Sequence, residues 1–176
     1  MTGAPKRTRR VDQSDRRPPG LDLLIEAGDW PPRAKLRRLA SRAIGAVAAS
    51  PSTSVPAEAE VSLVFTDDAH IRLLNRRFRR KDGATNVLSF PAARQPGRFG
   101  PFLGDIVLAQ ETISSEARNQ GLILEDHLIH LIVHGFLHLL GFDHETDEDA
   151  GVMERLETAI LVGIGVADPY AGGDGS

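Results

Sequence analysis

The chemistry of this chain concentrates in one stretch, HGFLHLLGFDH, running from His134 to His144. On an α-helix, residues four apart are separated by about 400°, so His134 and His138 share a face one turn apart. One ion could bridge both imidazoles there at about 2.0–2.1 Å from each nitrogen. Gly141 can take the left-handed conformation that ends a helix and turns the chain back, which returns His144 towards the same point. Three imidazoles with a fourth position open to water form the arrangement of a catalytic zinc site, whereas structural sites are closed by a fourth side chain, often cysteine. The chain has no cysteine, so disulfides and thiolate ligands are both excluded. A lone helical histidine is ordinarily a packed or surface residue. A pair one turn apart followed by a third beyond a helix-stopping glycine points to a metal.

Two further histidines crowd the same helix. His127, His130, His134 and His138 follow at steps of three, four and four, all on one face, and geometry alone would let His130 and His134 form the pair. The turn after His138 favours the later pair, because only a ligand in the last turn meets His144 promptly. His127 and His130 are then buried polar neighbours, or groups that orient the ligands. The spacing H-x3-H-x2-G-x2-H is also that of metzincin proteases, which makes a metallopeptidase one rival. Those enzymes carry glutamate directly after the first histidine as general base. Gly135 stands here instead, leaving only Asp143 or Glu145 to be recruited.

The elements that must position this site read as follows. Leu21 to Ile25 is a short apolar run suited to a first strand, and Trp30-Pro31-Pro32 breaks the chain after it. Leu36, Leu39, Ala40, Ala43, Ile44 and Val47 have helical spacing within residues 33–49. Pro51 to Pro56 is a loop. Val61, Leu63 and Phe65 alternate as in a half-buried strand, and Thr66 or Asp67 can cap a helix ending near Arg77, with Ile71, Leu74 and Phe78 on one face. Asp82-Gly83 is a turn, Asn86 to Phe90 a strand ended by Pro91, residues 92–101 a loop, and Leu103 to Leu108 another strand. Helices are expected over residues 110–119, 124–140 and 147–162. The order suggests a single α+β domain, a mixed sheet of about four strands packed with about five helices.

Composition sets the boundaries. Of 176 residues, 41% are apolar, enough for one core,. The net charge of −3 conceals a division: residues 1–100 hold 19 Lys and Arg against 10 Asp and Glu, and residues 101–176 hold 2 against 14. Any polyanion binding is therefore expected on a face built from the first half, the alternative being solvated helix faces. Residues 1–20 are basic and without apolar periodicity, which reads as a disordered extension; residues 171–176 read as a flexible tail. No apolar run approaches the roughly 20 residues of a membrane span, and no signal-peptide core is present, so a cytoplasmic protein without membrane contact is expected.

Three motifs in order resemble the YbeY family of bacterial endoribonucleases of rRNA maturation: RRFRRKDGATNVLSFP (76–91), LGDIVLA (103–109) and HGFLHLLGFDH. The resemblance runs from about Leu21 to Tyr170. It implies one zinc ion on His134, His138 and His144, cleavage of single-stranded RNA, and a role in 16S rRNA 3′-end processing and ribosome quality control on the small ribosomal subunit and its proteins. It also places the family's functionally important arginine on Arg79. The residues themselves supply a looser version of this reading. Arg72, Arg76, Arg77, Arg79, Arg80 and Lys81 form a cationic cluster able to hold phosphates, although such a cluster also suits a solvated helix end. Zinc would lower the pKa of bound water from 15.7 towards ~7. Hydroxide or a ribose 2′-hydroxyl would then attack phosphorus, with Arg79 stabilising the charge on the phosphoryl oxygens. Thr85, Asn86 and Asp105 are expected to be structural, Asp105 by bonding a turn. The rival from another class is a non-catalytic ribosome-assembly factor in which the metal only pins two helices.

Overall fold

The computed structural model describes residues 18–93 and 100–171. Along the chain these form β1 (Gly20–Ile25), α1 (Arg33–Ala49), β2 (Glu60–Thr66), α2 (Asp68–Arg79), β3 (Val87–Pro91), β4 (Phe102–Ala109), α3 (Gln110–Gln120), α4 (Leu124–Leu139) and α5 (Asp147–Gly163). The strands make one sheet in the order β1-β2-β4-β3. β1 with β2 and β2 with β4 are parallel, and β3 with β4 is antiparallel. The mixed α+β architecture expected from the sequence is present. Most of the proposed N-terminal extension (1–17), the centre of the 92–101 loop (94–99) and the tail (172–176) lie outside the described residues; Gly20 already pairs in β1.

Strand alternation divides the sheet into two faces. Leu23, Leu63 and Ile106 stand side by side in register and belong to the main core with α1 and α4. Leu88 and Val107 point the other way, onto Ile71 of α2. In α1 the six apolar positions at helical spacing are all buried. α4 is the central helix, buried nearly all round between the sheet and α1, α3 and α5. Among the described residues no single helix is long and apolar enough to cross a membrane.

Three local expectations are corrected. The strand expected over Asn86 to Phe90 runs one residue later, Val87–Pro91, and Pro91 is its last paired residue, opposite Gly104, which is allowed because β3 is an edge strand and proline there withdraws no donor the sheet needs. Asp105 lies within β4, paired with Phe90, and no hydrogen bond from its side chain to a turn is seen among the described residues. The irregularity sits beside it, where the β2–β4 register slips between Glu60 and Val61. Gly104 has φ +137° there, and a Cβ would fall 2.2 Å from the Phe90 carbonyl oxygen, so only glycine fits. α2 continues past Arg77 to Arg79, capped at its start by the Asp67 carboxylate on the His70 N–H at 2.8 Å. At its end, the buried Asn75 amide bonds the Gly83 carbonyl at 2.9 Å, folding the following loop back on the helix. Those two extra residues bring Arg79 to the site.

Candidate metal centre

The site begins with the end of α4. Gly141, at φ +98°, follows the last helical turn. Its N–H bonds the His138 carbonyl at 3.0 Å, and the Phe142 N–H bonds the Leu137 carbonyl at 3.1 Å. This pair of bonds defines a Schellman stop, which reverses the chain within one turn. Thr146 then starts α5: its hydroxyl accepts the Asp149 N–H at 3.1 Å and donates to the Asp149 carboxylate at 2.7 Å, a variant of the capping box. His144 lies between these two fixed points. One ring nitrogen from each of His134, His138 and His144 falls within 4.8 Å of the other two.

Hydrogen bonds decide which nitrogens face inward. His134 Nδ1 donates to Glu157 Oε1 at 2.5 Å, and His138 Nδ1 donates to the Phe142 carbonyl at 2.9 Å. Both acceptors lack protons to give, so each neutral ring carries its hydrogen on Nδ1 and presents a bare lone pair on Nε2. These two Nε2 atoms face each other at 3.0 Å. Two lone pairs at that separation repel unless a cation or a proton lies between them. Burial and the neighbouring His134 ring push the His138 pKa below the ordinary imidazole value, which disfavours the proton and leaves the ring in the form a metal needs. The donor set therefore fits a metal ion.

Glu157 is the residue the sequence did not expose. It is fully buried on α5. Its Oε1 takes His134, while its Oε2 takes the Tyr170 hydroxyl and lies 3.4 Å from His130 Nε2. Burial alone would raise its pKa, but the bonds from His130 and His134 outweigh that and hold the carboxyl down to about 2. A carboxylate on the far nitrogen of a ligating histidine fixes the ring's tautomer and raises its basicity. Glu157→Gln should therefore weaken binding of a divalent metal by about 10–100-fold, read by competition with a chromophoric chelator. Unchanged affinity would reduce Glu157 to a packing role.

A cleft of about 820 Å³ opens over the three histidines and is also lined by Arg79, Lys81 and Ser89. Arg79 donates from Nη2 to the Ser89 carbonyl at 3.2 Å, so its guanidinium is tethered to β3 at the cleft wall. Ser89 uses its hydroxyl to bond the Gly135 carbonyl at 3.0 Å, tying β3 to α4. Gly135 itself has a packing reason. A Cβ there would lie 2.8 Å from Ile106 Cγ2 and 3.1 Å from Ser89 Oγ. The glutamate a metallopeptidase needs at this position has no room, so that rival loses the space as well as the residue.

The remaining motif residues separate by place. His130 turns to Glu157 and His127 to Glu116 at 2.8 Å, and neither belongs to the three-histidine cluster. Asn86 bonds the same Glu116 at 3.0 Å and the Val87 N–H at 2.7 Å, pinning the start of β3 to α3. Thr85 lines the cleft. Asp105 lines a separate recess with Asp22 and Glu60.

A family model described as Endoribonuclease YbeY matches residues 28–165. Relatives named Endoribonuclease YbeY from Chelativorans sp. (strain BNC1) and Rhizobium meliloti (strain 1021) are 51% identical over 154 residues and 50% identical over 157. The matches cover 86% and 85% of this chain and 93% and 94% of theirs. Among solved structures, a Thermotoga maritima protein determined in solution is similar with a TM-score of 0.56 at 23% identity, covering 82% of this chain and 88% of that one. That likeness speaks for the fold.

Proposed function

Because the chain belongs to the endoribonuclease YbeY family, we propose that it is a zinc-dependent endoribonuclease cleaving single-stranded RNA in 16S rRNA 3′-end maturation and ribosome quality control. The small ribosomal subunit and its proteins would be its partners, the cytoplasm its compartment, and residues 21–170 the catalytic domain. One observation carries the metal-dependent reading. His134 and His138 have both Nδ1 atoms engaged and both Nε2 atoms turned to one point, beside His144 and in a cleft that Arg79 also lines.

His134, His138 and His144 would hold the ion, which when bound supplies a Lewis acid and an ionisable water near neutral pH. The chain's own groups supply the rest. Glu157 and the Phe142 carbonyl keep the two helical imidazoles in the ligating orientation. Arg79 places a permanent, forked cation on the cleft wall, suited to two oxygens of one phosphate. Lys81, on the same wall, adds a point charge for a neighbouring phosphate. A fixed cation aimed where charge develops stabilises a transition state more than a mobile one, because little reorganisation is needed.

The test is cleavage of a fluorescent single-stranded RNA by purified protein. Activity should disappear on prolonged chelation and return with zinc, while a duplex of the same sequence stays intact. Cleavage that survives complete removal of metal would overturn the metal-dependent reading.

A further inference from the structure

Beside the cleft stands an aromatic pair, Phe78 exposed and Phe90 half-buried. Phe78, on the last turn of α2, is 54% exposed. Its ring meets Phe90 of β3 edge to face, with centroids 5.2 Å apart and planes at 69°. Phe90 packs against the small cluster of Ile71, Leu88 and Val107, so the pair is anchored from beneath while Phe78 reaches water. The Arg77 guanidinium carbon lies 5.2 Å from the centre of the Phe78 ring. Among the described residues Arg77, Arg80 and Lys81 form no ion pair, whereas Arg72 is engaged by Asp82 at 2.7 Å. A half-exposed phenyl ring thus sits beside Arg77, which forms no ion pair among the described residues.

Chain connectivity ties this pair to the cleft. Arg79 follows Phe78 and Ser89 precedes Phe90; both line the cleft, and the Arg79–Ser89 bond joins them. A strand with a phosphate at Arg79 must leave the cleft past one of its walls, and the wall that offers positive charge is this edge. Protein surfaces that hold unpaired strands combine these two ingredients, cations that track the backbone and aromatic rings that take bases.

We propose that the Phe78 ring, backed by Phe90 and flanked by Arg77, is a stacking platform for one unpaired base of the RNA strand next to the cleft. The inference rests on the ribonuclease reading above. Stacking uses the π-face that every base has, so the platform is tolerant of sequence. A base inside a duplex already has both faces stacked and cannot use it, so the platform discriminates against paired RNA.

The experiment measures binding by fluorescence anisotropy on the His134→Ala background, which prevents cleavage, with a single-stranded RNA, an abasic strand of the same length and a duplex. Phe78→Leu keeps the apolar contact with Phe90 and removes the aromatic face. It should weaken single-strand binding about tenfold and leave the abasic strand and the duplex unaffected, while Phe78→Trp restores binding. Equal single-strand affinity for Phe78→Leu and its parent overturns the platform and leaves the ribonuclease reading standing. An equal loss for all three probes also overturns it, because the effect is then general. If neither the His134→Ala protein nor the unaltered protein kept inactive by a chelator binds single-stranded RNA, and the unaltered protein cleaves none, the ribonuclease reading fails first and takes the platform with it.

Discussion

Protein carrying His138→Ala is expected to fold, to purify without zinc and to cleave single-stranded RNA no faster than buffer does. The substitution removes one of three imidazoles whose ring nitrogens cluster within 4.8 Å and leaves His134 Nε2 without the partner it faces at 3.0 Å. Two remaining histidines, one of them exposed on the loop, make an ordinary surface pair. Lowering the pKa of a water from 15.7 to about 7 changes the hydroxide available at neutral pH by many powers of ten. Losing the ion should therefore cost at least about 10³-fold in rate. Metal content by mass spectrometry and circular dichroism on the same sample separate loss of the site from loss of the fold. His144→Ala should also lose its metal. Were it to keep a full equivalent, another side chain would have to supply the third nitrogen, and His130 is turned towards Glu157. The same His138→Ala protein discriminates the assembly-factor rival. Stable binding to ribosomes and normal 16S rRNA ends in cells carrying only this variant would favour a non-catalytic role.

The sequence made the three-histidine cluster legible because its members lie within one short segment, where helical periodicity and a stop glycine fix the geometry almost unaided. α1 was equally legible, since its apolar positions recur at the helical period and nothing distant competes. Glu157 was not. It forms its key bond to a residue 23 positions away, through an α4–α5 packing that no local pattern encodes. A signal was nevertheless present: Met153, Leu156, Ile160 and Leu161 are all buried, and Glu157 sits in the middle of that apolar face. A carboxylate in such a place requires partners. Tyr170 carries less signal still, because it follows the last helix and gains meaning only when its hydroxyl reaches Glu157. Gly135 was read as a missing base, and its cause lies in the approach of α4 to Ile106 and Ser89. The position of Arg79 depends on two residues at a helix end, where propensity rules are weakest and the Asn75–Gly83 bond decides.

Arg79→Glu is expected to abolish cleavage while zinc content and thermal stability stay close to those of the unaltered protein. Arg79 is exposed, and it donates to the Ser89 carbonyl at 3.2 Å. That carbonyl lies at an open cleft, where water can replace the guanidinium, so the stability cost should stay within about 1 kcal/mol. The catalytic cost should be far larger. Removing a single preorganised donor from a transition-state site costs roughly 10²–10³-fold, and an arginine on a transferring phosphoryl group is worth about 10³–10⁵. Reversal of the charge adds repulsion of the phosphate itself. Arg79→Lys should recover part of the activity, because it keeps the charge but loses the fork that holds two oxygens at once. The loss should fall mainly on kcat if Arg79 acts on developing charge, and on KM if it acts only as one more phosphate anchor. Zinc content is the decisive control. His134, His138 and His144 draw their orientation from Glu157, Phe142 and the turn at Gly141, none of which passes through Arg79. A variant that lost its metal together with its activity would show that the cleft wall and the ligand cluster are one structural unit, and the division of roles between cation and metal would fall.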